Sequence, residues 1–256
     1  MYEIGGVNVL LLIIDGTSLS VRSFFAAREN EDTGLALFSY WMRSLSNLFN
    51  HTHTAVAWDT KGGSSKRKQL LPEYKANRPK SVNTSNYNQK CLVISQDIGF
   101  KNLVLPEYEA DDIIGKVSEF DIPTVIITGD KDMLQLIDDN TTVYTPINGV
   151  SNMKAWDRHA VKDKYDVYPE QFVDYKALVG DSSDNYHGVK GIGPKTASKL
   201  LNQYQNITGI YQNLEQLNPH VRAKLEAGRD SCRLSWQLAK LHTDDIDDIS
   251  LSELEC

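Results

Sequence analysis

The sequence predicts an α/β protein: a doubly wound, mainly parallel sheet followed by a small all-helical region. Three observations carry this. Apolar runs of buried type recur at "VNVLLLIIDG", "HTAVAWD" and "DIPTVIITGDKD", helical patterns lie between them, and only short helical patterns remain after about residue 165. Continuous β-branched and aliphatic runs of this length suit strands buried on both faces. Strand–helix–strand alternation then implies parallel pairing through right-handed crossovers.

Taken in order, the first run ends at Asp15, the second at Asp59 and the third at Asp130 and Asp132. Sites in such sheets form beyond the carboxyl ends of the strands, and each run delivers an aspartate there. Between the first two, "LALFSYWMRSLSNLF" predicts a helix with Leu37, Trp41, Leu45 and Leu48 on one face. Residues 61–98 are loosened by Gly-Gly, Ser-Ser, Pro72, Pro79 and several Asn, which predicts an exposed, mobile excursion with short helices and no long core helix. "EADDIIGKVSEF" predicts a helix on which Glu109 and Asp112 share a face and Asp111 falls in the first turn. Further on, "PEQFVDYKALVG", "GPKTASKLLNQY", "NPHVRAKLEAG" and "DSCRLSWQLAKLH" predict short helices, with Pro169 and Pro194 in first turns and Gly180 and Gly228 as C-terminal caps. The domain plan is a core over 1–165 containing the 61–98 excursion, a helical subdomain over 166–245, and an acidic, partly ordered tail over 246–256.

A chain of 256 residues with 41 % hydrophobic and 24 % charged content reads as an ordinary globular protein. The run "VLLLII" is too short to span a membrane, lacks a basic region before it and is followed by Asp15, so neither a membrane span nor a signal peptide is expected. Cys91, Cys232 and Cys256 have no paired spacing, which argues against disulfides and structural zinc and for a cytoplasmic protein. The net charge of −7 hides a polarised chain. Residues 61–80 hold Lys61, Lys66, Arg67, Lys68, Lys75, Arg78 and Lys80 against Glu73 alone, while residues 244–256 hold four Asp, two Glu and no base. A basic segment of that kind is compatible with a nucleic-acid partner despite the acidic average.

The stretch "EYEADDIIG" crowds Glu107, Glu109, Asp111 and Asp112 against two isoleucines. Crowded carboxylates resist ionisation unless a lysine, a helix terminus or a metal ion offsets them. Acidic residues favour a helix N-terminus through the dipole, which is the plain alternative. With Asp15, Asp59, Asp130 and Asp132 expected at the same sheet edge, the number of hard oxygen donors points to Mg²⁺ or Mn²⁺. Two such ions about 4 Å apart suit phosphodiester cleavage. The spacing of a calcium loop is absent. "GDSSDN" adds Asp181 and Asp184, and "GVKGIGPKTASKLL" follows directly. A Gly-rich turn entering a helix exposes N–H groups that can hold a phosphate without reading a base, and Lys190, Lys195 and Lys199 add charge around it. His51 and His53 read as surface histidines, Trp41 and Trp58 as core, and Cys91 as no nucleophile.

"LIIDG", "AWD", "LPEYKANR", "EADD", "ITGDKD", "LVGDSSDN" and "GVKGIGPKTASKLL" occur in the order found in the 5′ nuclease (flap endonuclease) family. That family includes the 5′-nuclease domain of bacterial DNA polymerase I and stand-alone enzymes of tailed bacteriophages, and the resemblance covers about residues 8–242. It implies a PIN-like core, a helical arch and a helix–three-turn–helix that grips duplex DNA. By position it implies metal ligation by Asp15, Asp59, Glu109, Asp111, Asp112, Asp130, Asp132, Asp181 and Asp184, with two Mg²⁺ or Mn²⁺ ions. Lys75 and Arg78, three apart as on one helical face, resemble arch residues that contact the scissile phosphate, and Arg22 has a counterpart near it. Tyr74 has two readings, stacking on an unpaired base or packing within the arch. Lys66, Arg67 and Lys68 in the basic segment, and Gly188, Lys190, Gly191, Gly193, Lys195, Thr196 and Lys199 in the hairpin, are the expected DNA contacts, and the hairpin resembles a site where K⁺ bridges carbonyls to DNA. The function implied is a monomeric, structure-specific 5′ nuclease acting on 5′ flaps, branched DNA or RNA–DNA primers. A DNA-structure-binding protein with weak activity and a PIN-type ribonuclease are the competing readings.

Overall fold

In the computed structural model, residues 3–4, 7–77 and 84–256 are described. Two antiparallel strands of two residues each, β1 (Glu3–Ile4) and β2 (Val7–Asn8), precede the main sheet. All five residues of β3 (Leu11–Asp15) are buried, as are the last four of β4 (His53–Ala57) and all of β6 (Thr124–Ile127). These are the three apolar runs of the sequence. With β5 (Asn102–Leu103), β7 (Thr141–Pro146) and β8 (Met153–Trp156) they form a six-stranded sheet in the order β5-β4-β3-β6-β7-β8. All pairings are parallel except β7 with β8. The chain runs outward from β3 to β5 on one side and from β6 to β8 on the other, so the strand order reverses at β3 and β6. Asp15 ends β3 in register with Ala57 of β4, and Ile14 pairs with Ile127 of β6. The carboxyl ends of the three strands are therefore level at this switch point, where ligands bind in open sheets of this kind.

The chain divides into two compact units, Met1–Ser64, Ser81–Asp157 and His242–Cys256 forming the first and Ser65–Lys80 with Arg158–Leu241 the second. In the first, α1 (Gly16–Ala26), α2 (Glu31–Leu48) and α4 (Ser85–Ile98) pack together and share a core with Leu12, Ile14, Val56 and Ile127. Strand alternation leaves Leu11, Ile13 and Ile126 for the opposite face. There α5 (Ala110–Val117) lies against β3 and β4 with Ile113, Ile114 and Val117 buried. Gly16 is required at the β3–α1 junction, since a Cβ there would stand 2.7 Å from the Trp58 ring.

Three expectations need correction. The buried face of α2 is Gly34, Phe38, Trp41, Met42 and Leu45; Trp41 and Leu45 lie on it as expected, whereas Leu37 is half-buried at its margin and Leu48 is 60 % exposed. Residues 85–98 are not a loose excursion, because α4 runs fourteen residues with Tyr87, Cys91 and Ser95 buried. These recur at intervals of four, as one helical face requires, and the Tyr87 hydroxyl shares a hydrogen bond with Ser23 at 2.7 Å. The acidic tail is ordered onto the first unit. Ile246 and Leu254 are buried, Glu255 bridges to His53, and the Cys256 N–H donates to the Thr52 carbonyl.

The second unit is helical: α3 (Ser65–Leu70), α6 (Arg158–Tyr165), a 3-10 turn at Pro169–Gln171, α7 (Phe172–Val179), α8 (Pro194–Tyr204), α9 (Ile207–Gln212), α10 (Pro219–Ala227) and α11 (Arg229–Ala239). Pro194 occupies the first turn of α8, and Gly180, at φ +82°, ends α7. Gly228 joins α10 to α11 at φ −99°, outside the left-handed region. The buried Gln171 amide donates to the Leu201 and Gln205 carbonyls, which ties the 3-10 turn to the end of α8.

Candidate active site

Asp15 is the centre of the first constellation. It is 4 % exposed and caps α1, its Oδ1 accepting from the Ser18 N–H at 2.8 Å and its Oδ2 from the Thr128 hydroxyl at 2.7 Å. Burial pushes its carboxyl up to about 7, the nearby charges of Asp59 and Asp130 push the same way, and the Ser18 and Thr128 hydrogen bonds oppose them. The Thr128 hydroxyl also accepts from the Asp130 N–H at 2.9 Å, so one side chain links two of the aspartates. Asp130 Oδ1 accepts from the Asp132 N–H at 2.8 Å, which sets the turn into the next 3-10 segment. The Asp59 N–H donates to the Thr17 hydroxyl, and Asp59 Oδ1 accepts from the Ala110 N–H at the start of α5.

The acids of α5 are used as helix termini. Glu109 and Asp112 form a capping box, and Asp112 Oδ1 also accepts from the His242 N–H at 2.8 Å. For these two the N-terminus reading holds as a local fact. Asp111 and Asp132 are half-buried. Arg22, on α1, faces Gly129: a Cβ on that glycine would lie 3.5 Å from its guanidinium, which also donates to the Ile147 carbonyl at 3.4 Å.

Among the described residues, no three acidic, histidine or cysteine side chains converge closely enough to ligate one ion directly. The charge balance nonetheless fits a hard divalent cation. A buried carboxyl is held near 7 beside two further carboxylates, every donor is oxygen, and Mg²⁺ keeps several waters between itself and protein carboxylates.

The second unit holds its own pair. Asp181 Oδ2 lies 2.6 Å from the buried Lys176 ammonium, and Oδ1 accepts from the Ser183 N–H and hydroxyl. Burial would raise this carboxyl, yet the Lys176 charge and the hydrogen bonds hold it down at about 2. Asp184 is buried, its Oδ2 accepting from the Tyr74 hydroxyl at 2.9 Å. The hairpin follows. Gly188 packs so tightly that a Cβ would stand 2.3 Å from the Leu178 carbonyl. Gly191 takes φ +83°, and Gly193 caps α8. Lys190, Lys195 and Lys199 are exposed, and Thr196 is half-buried in the first turn of α8. Ser231 and Lys224 brace the turn from outside, donating to the carbonyls of Gly188 and Gly191. A cavity of about 720 Å³ opens beside it, lined by Gly180, Asp181, His187, Lys190, Gly191 and Ser231 among others.

A family model for the "5′-3′ exonuclease, N-terminal resolvase-like domain" matches residues 10–166, and one for the "5′-3′ exonuclease, C-terminal SAM fold" matches residues 167–256. The chain belongs to the 5′-3′ exonuclease family. It is 33 % identical over 249 residues to a 5′-3′ exonuclease of Bacillus subtilis, covering 92 % of this chain and 84 % of that one. It is 40 % identical over 250 residues to DNA polymerase I of Caldicellulosiruptor bescii, covering 91 % of this chain and 29 % of the polymerase. Among solved structures, the bacteriophage T5 D15 flap endonuclease, in a pseudo-enzyme-product complex with DNA and metal ions, superposes with a TM-score of 0.70 at 23 % identity, covering 91 % of this chain and 89 % of that one. No helix among the described residues is long and apolar enough to cross a membrane.

Within this exonuclease fold some expected DNA contacts are placed otherwise. Arg67 is 3 % exposed and donates to the Leu238 and Lys240 carbonyls at the end of α11, so it joins two elements where its neighbour Lys68 faces solvent and Lys66 is half-buried. Tyr74 is 3 % exposed and packs with Tyr186 and Leu238, which favours the packing reading over stacking on a base. Lys75 sits in a turn at φ +59°, not on the helix expected there, and Arg78 lies outside the described residues. The sequence reading missed Thr17, Ser18 and Thr128, the hydroxyls beside each aspartate in "DGTS" and "ITGD", and it missed Lys176. His51 stacks on Phe100, Trp41 and Trp58 are core, and burial holds the Cys91 thiol up at about 12.

Proposed function

We propose that the chain is a Mg²⁺-dependent, structure-specific 5′ nuclease that hydrolyses DNA near 5′ ends and branch junctions. The observation that carries this is Asp15: a buried carboxyl, pushed up beside Asp59 and Asp130 at the carboxyl ends of parallel strands, with hydroxyls and amides around it and a surplus of negative charge. Asp15, Asp59, Asp130, Asp132, Glu109, Asp111 and Asp112 would hold divalent cations through oxygen atoms and intervening waters. Asp181 and Asp184 are assigned to a second, weaker ion. Bound ions of this type supply Lewis-acid activation of a water and stabilise the leaving oxygen.

The chain's own residues orient and bind. Thr128 and Ser18 fix the Asp15 carboxylate, and Thr17 fixes the main chain at Asp59. Arg22 and Lys75, with Arg78, offer cations to phosphoryl oxygens as charge develops on them. The Gly188–Lys195 hairpin presents amides and lysines to duplex phosphates, which gives binding without sequence preference. Cleavage of a 5′-labelled flap in Mg²⁺, with EDTA and single-stranded RNA as controls, tests the assignment. Metal-dependent cutting near the flap junction is the expected result. Binding without cutting, or cutting confined to RNA, would overturn it.

A further inference from the structure

A run of hydrogen bonds ties together two loops of the helical unit, each carrying a residue assigned above. Tyr74 Oη donates to Asp184 Oδ2 at 2.9 Å, and the Lys75 N–H donates to the Asp184 carbonyl at 3.0 Å. Asn77 Nδ2 donates to the Ser182 carbonyl at 2.5 Å, and Asn185 Nδ2 donates to the Glu73 carbonyl at 2.7 Å. Lys75 takes φ +59°, a conformation that disfavours a residue with a Cβ and persists where neighbours enforce it. The hydrogen bond from its N–H to the Asp184 carbonyl is one such constraint. The Lys75 ammonium lies 5.0 Å from the centroid of the Tyr74 ring. Tyr74 thus touches the acid through its hydroxyl and the base through its ring face, while the ring itself is packed against Tyr186 and Leu238.

We propose that Tyr74 is a positioning residue which couples the two groups, so that holding a divalent cation at Asp184 and setting Lys75 for its phosphate are one structural event. The proposal rests on the reading of Asp184 as an ion ligand and Lys75 as a phosphate contact. A hydroxyl bonded to a ligating carboxylate fixes its orientation, and removing such partners typically weakens metal affinity or activity by about 10–100-fold. The same bond links the 73–77 turn to the 181–185 loop, so its loss also loosens the backbone around Lys75.

Tyr74→Phe keeps the packed ring and removes only the hydroxyl. In the full, DNA-free chain, calorimetric titration with Mg²⁺ should show the weaker binding event loosened by about tenfold or more. Trypsin should cut after Lys75 severalfold faster than in wild type, because local opening becomes easier. In single-turnover cleavage of 5′-flap DNA, half-saturating Mg²⁺ should rise by about tenfold, with the rate at saturating Mg²⁺ restored to near wild type. Lys75→Ala should do the reverse, lowering the saturated rate with little change in Mg²⁺ dependence. Wild-type Mg²⁺ titration and wild-type proteolysis in Tyr74→Phe would overturn the coupling, as would a lowered saturated rate with unchanged Mg²⁺ dependence, which would place the hydroxyl on substrate. Should the wild-type chain fail to cut 5′-ended DNA, the nuclease reading fails by itself, and the calorimetric and proteolytic arms still decide for or against the coupling.

Discussion

The carboxylates at the ends of the parallel strands and those in the 181–184 loop have the same chemistry and opposite electrostatics. Asp15 is buried beside Asp59 and Asp130, surrounded by neutral hydroxyls and amides, and its carboxyl rises to about 7. Asp181 is also partly buried, yet Lys176 stands 2.6 Å away and its carboxyl falls to about 2. Lys176 offsets the charge of Asp181, whereas the charges that act on Asp15 are two further carboxylates. A count of acidic residues does not separate these cases. The identity of the nearest positive charge does.

The largest expected effect breaks the strand-end group at Asp130, which is half-buried at the end of its strand. Asp130→Asn removes one charge while keeping an oxygen to accept from the Asp132 N–H. Cleavage of flap DNA in Mg²⁺ should fall on the order of 10³-fold, the scale of losing a principal electrostatic stabiliser. DNA affinity should hold or improve, since repulsion of phosphate falls. An unimpaired rate would remove Asp130 from the ion site.

In the second region the corresponding break is Lys176→Met, which keeps the length of the side chain and strands Asp181. Removing one partner of a buried pair costs about 3–5 kcal/mol, and the lower end applies because Asp181 retains 19 % of its side-chain exposure. At roughly 2–4 °C per kcal/mol for a chain of this size, the melting temperature should drop by about 6–12 °C. Lys176→Met with Asp181→Asn should recover part of the loss, and a cycle showing no coupling would mean that the pair does not offset itself.

Removing charge from the first region should have the opposite sign. With a folded pKa near 7 against an ordinary value of 3.8, Asp15 stays protonated in the fold where the unfolded chain has lost its proton. Its contribution to stability is therefore present at low pH, declines as pH rises above about 4, and is gone above about 7. Without divalent ions, Asp15→Asn should lack this decline and melt higher than wild type at pH 8, by an order of 1 kcal/mol or about 2–4 °C. Added Mg²⁺ should raise the wild-type melting temperature by more than that of the variant, which keeps only the weaker ion's ligands whole. A variant that melts lower than wild type at pH 8 without metal would show that Ser18 and Thr128 already satisfy the charge.

What the sequence disclosed follows the same division. The strands β3, β4 and β6 were legible because burial on both faces demands continuous apolar runs, and the aspartates that end them were legible with them. The β7–β8 hairpin was not, since "TTVYTP" mixes polar and apolar residues at the margin of the sheet. Helix α4 was hidden by Asn and Ser that flank its stripe of Tyr87, Cys91 and Ser95. Lys176 was hidden for a different reason: in "DYKALVG" it occupies the middle of an apolar helix, and only the turn at Gly180 carries Asp181 back to it. Pairings made across a turn leave no periodic signal. The capping role of Glu109 and Asp112 was legible as a local alternative, and the structure realises it.

The smallest effect sharpens the comparison through a second lysine of the helical unit. Lys176 is buried on a partner, whereas Lys195 is exposed in the first turn of α8, beside the Gly193 cap. A lysine of the first kind stabilises the fold, and one of the second kind is available to a phosphate. Lys195→Ala should therefore leave the stability within about 0.5 kcal/mol of wild type, as exposed substitutions do. It should weaken duplex binding about equally on unrelated sequences and make the slope of log affinity against log salt shallower by about one contact. Binding isotherms on two duplexes of unrelated sequence, across a salt series, measure both quantities. A changed preference between the duplexes would mean that Lys195 reads a base. An unchanged slope would mean that it meets no phosphate, and the hairpin would then hold DNA through its amides alone.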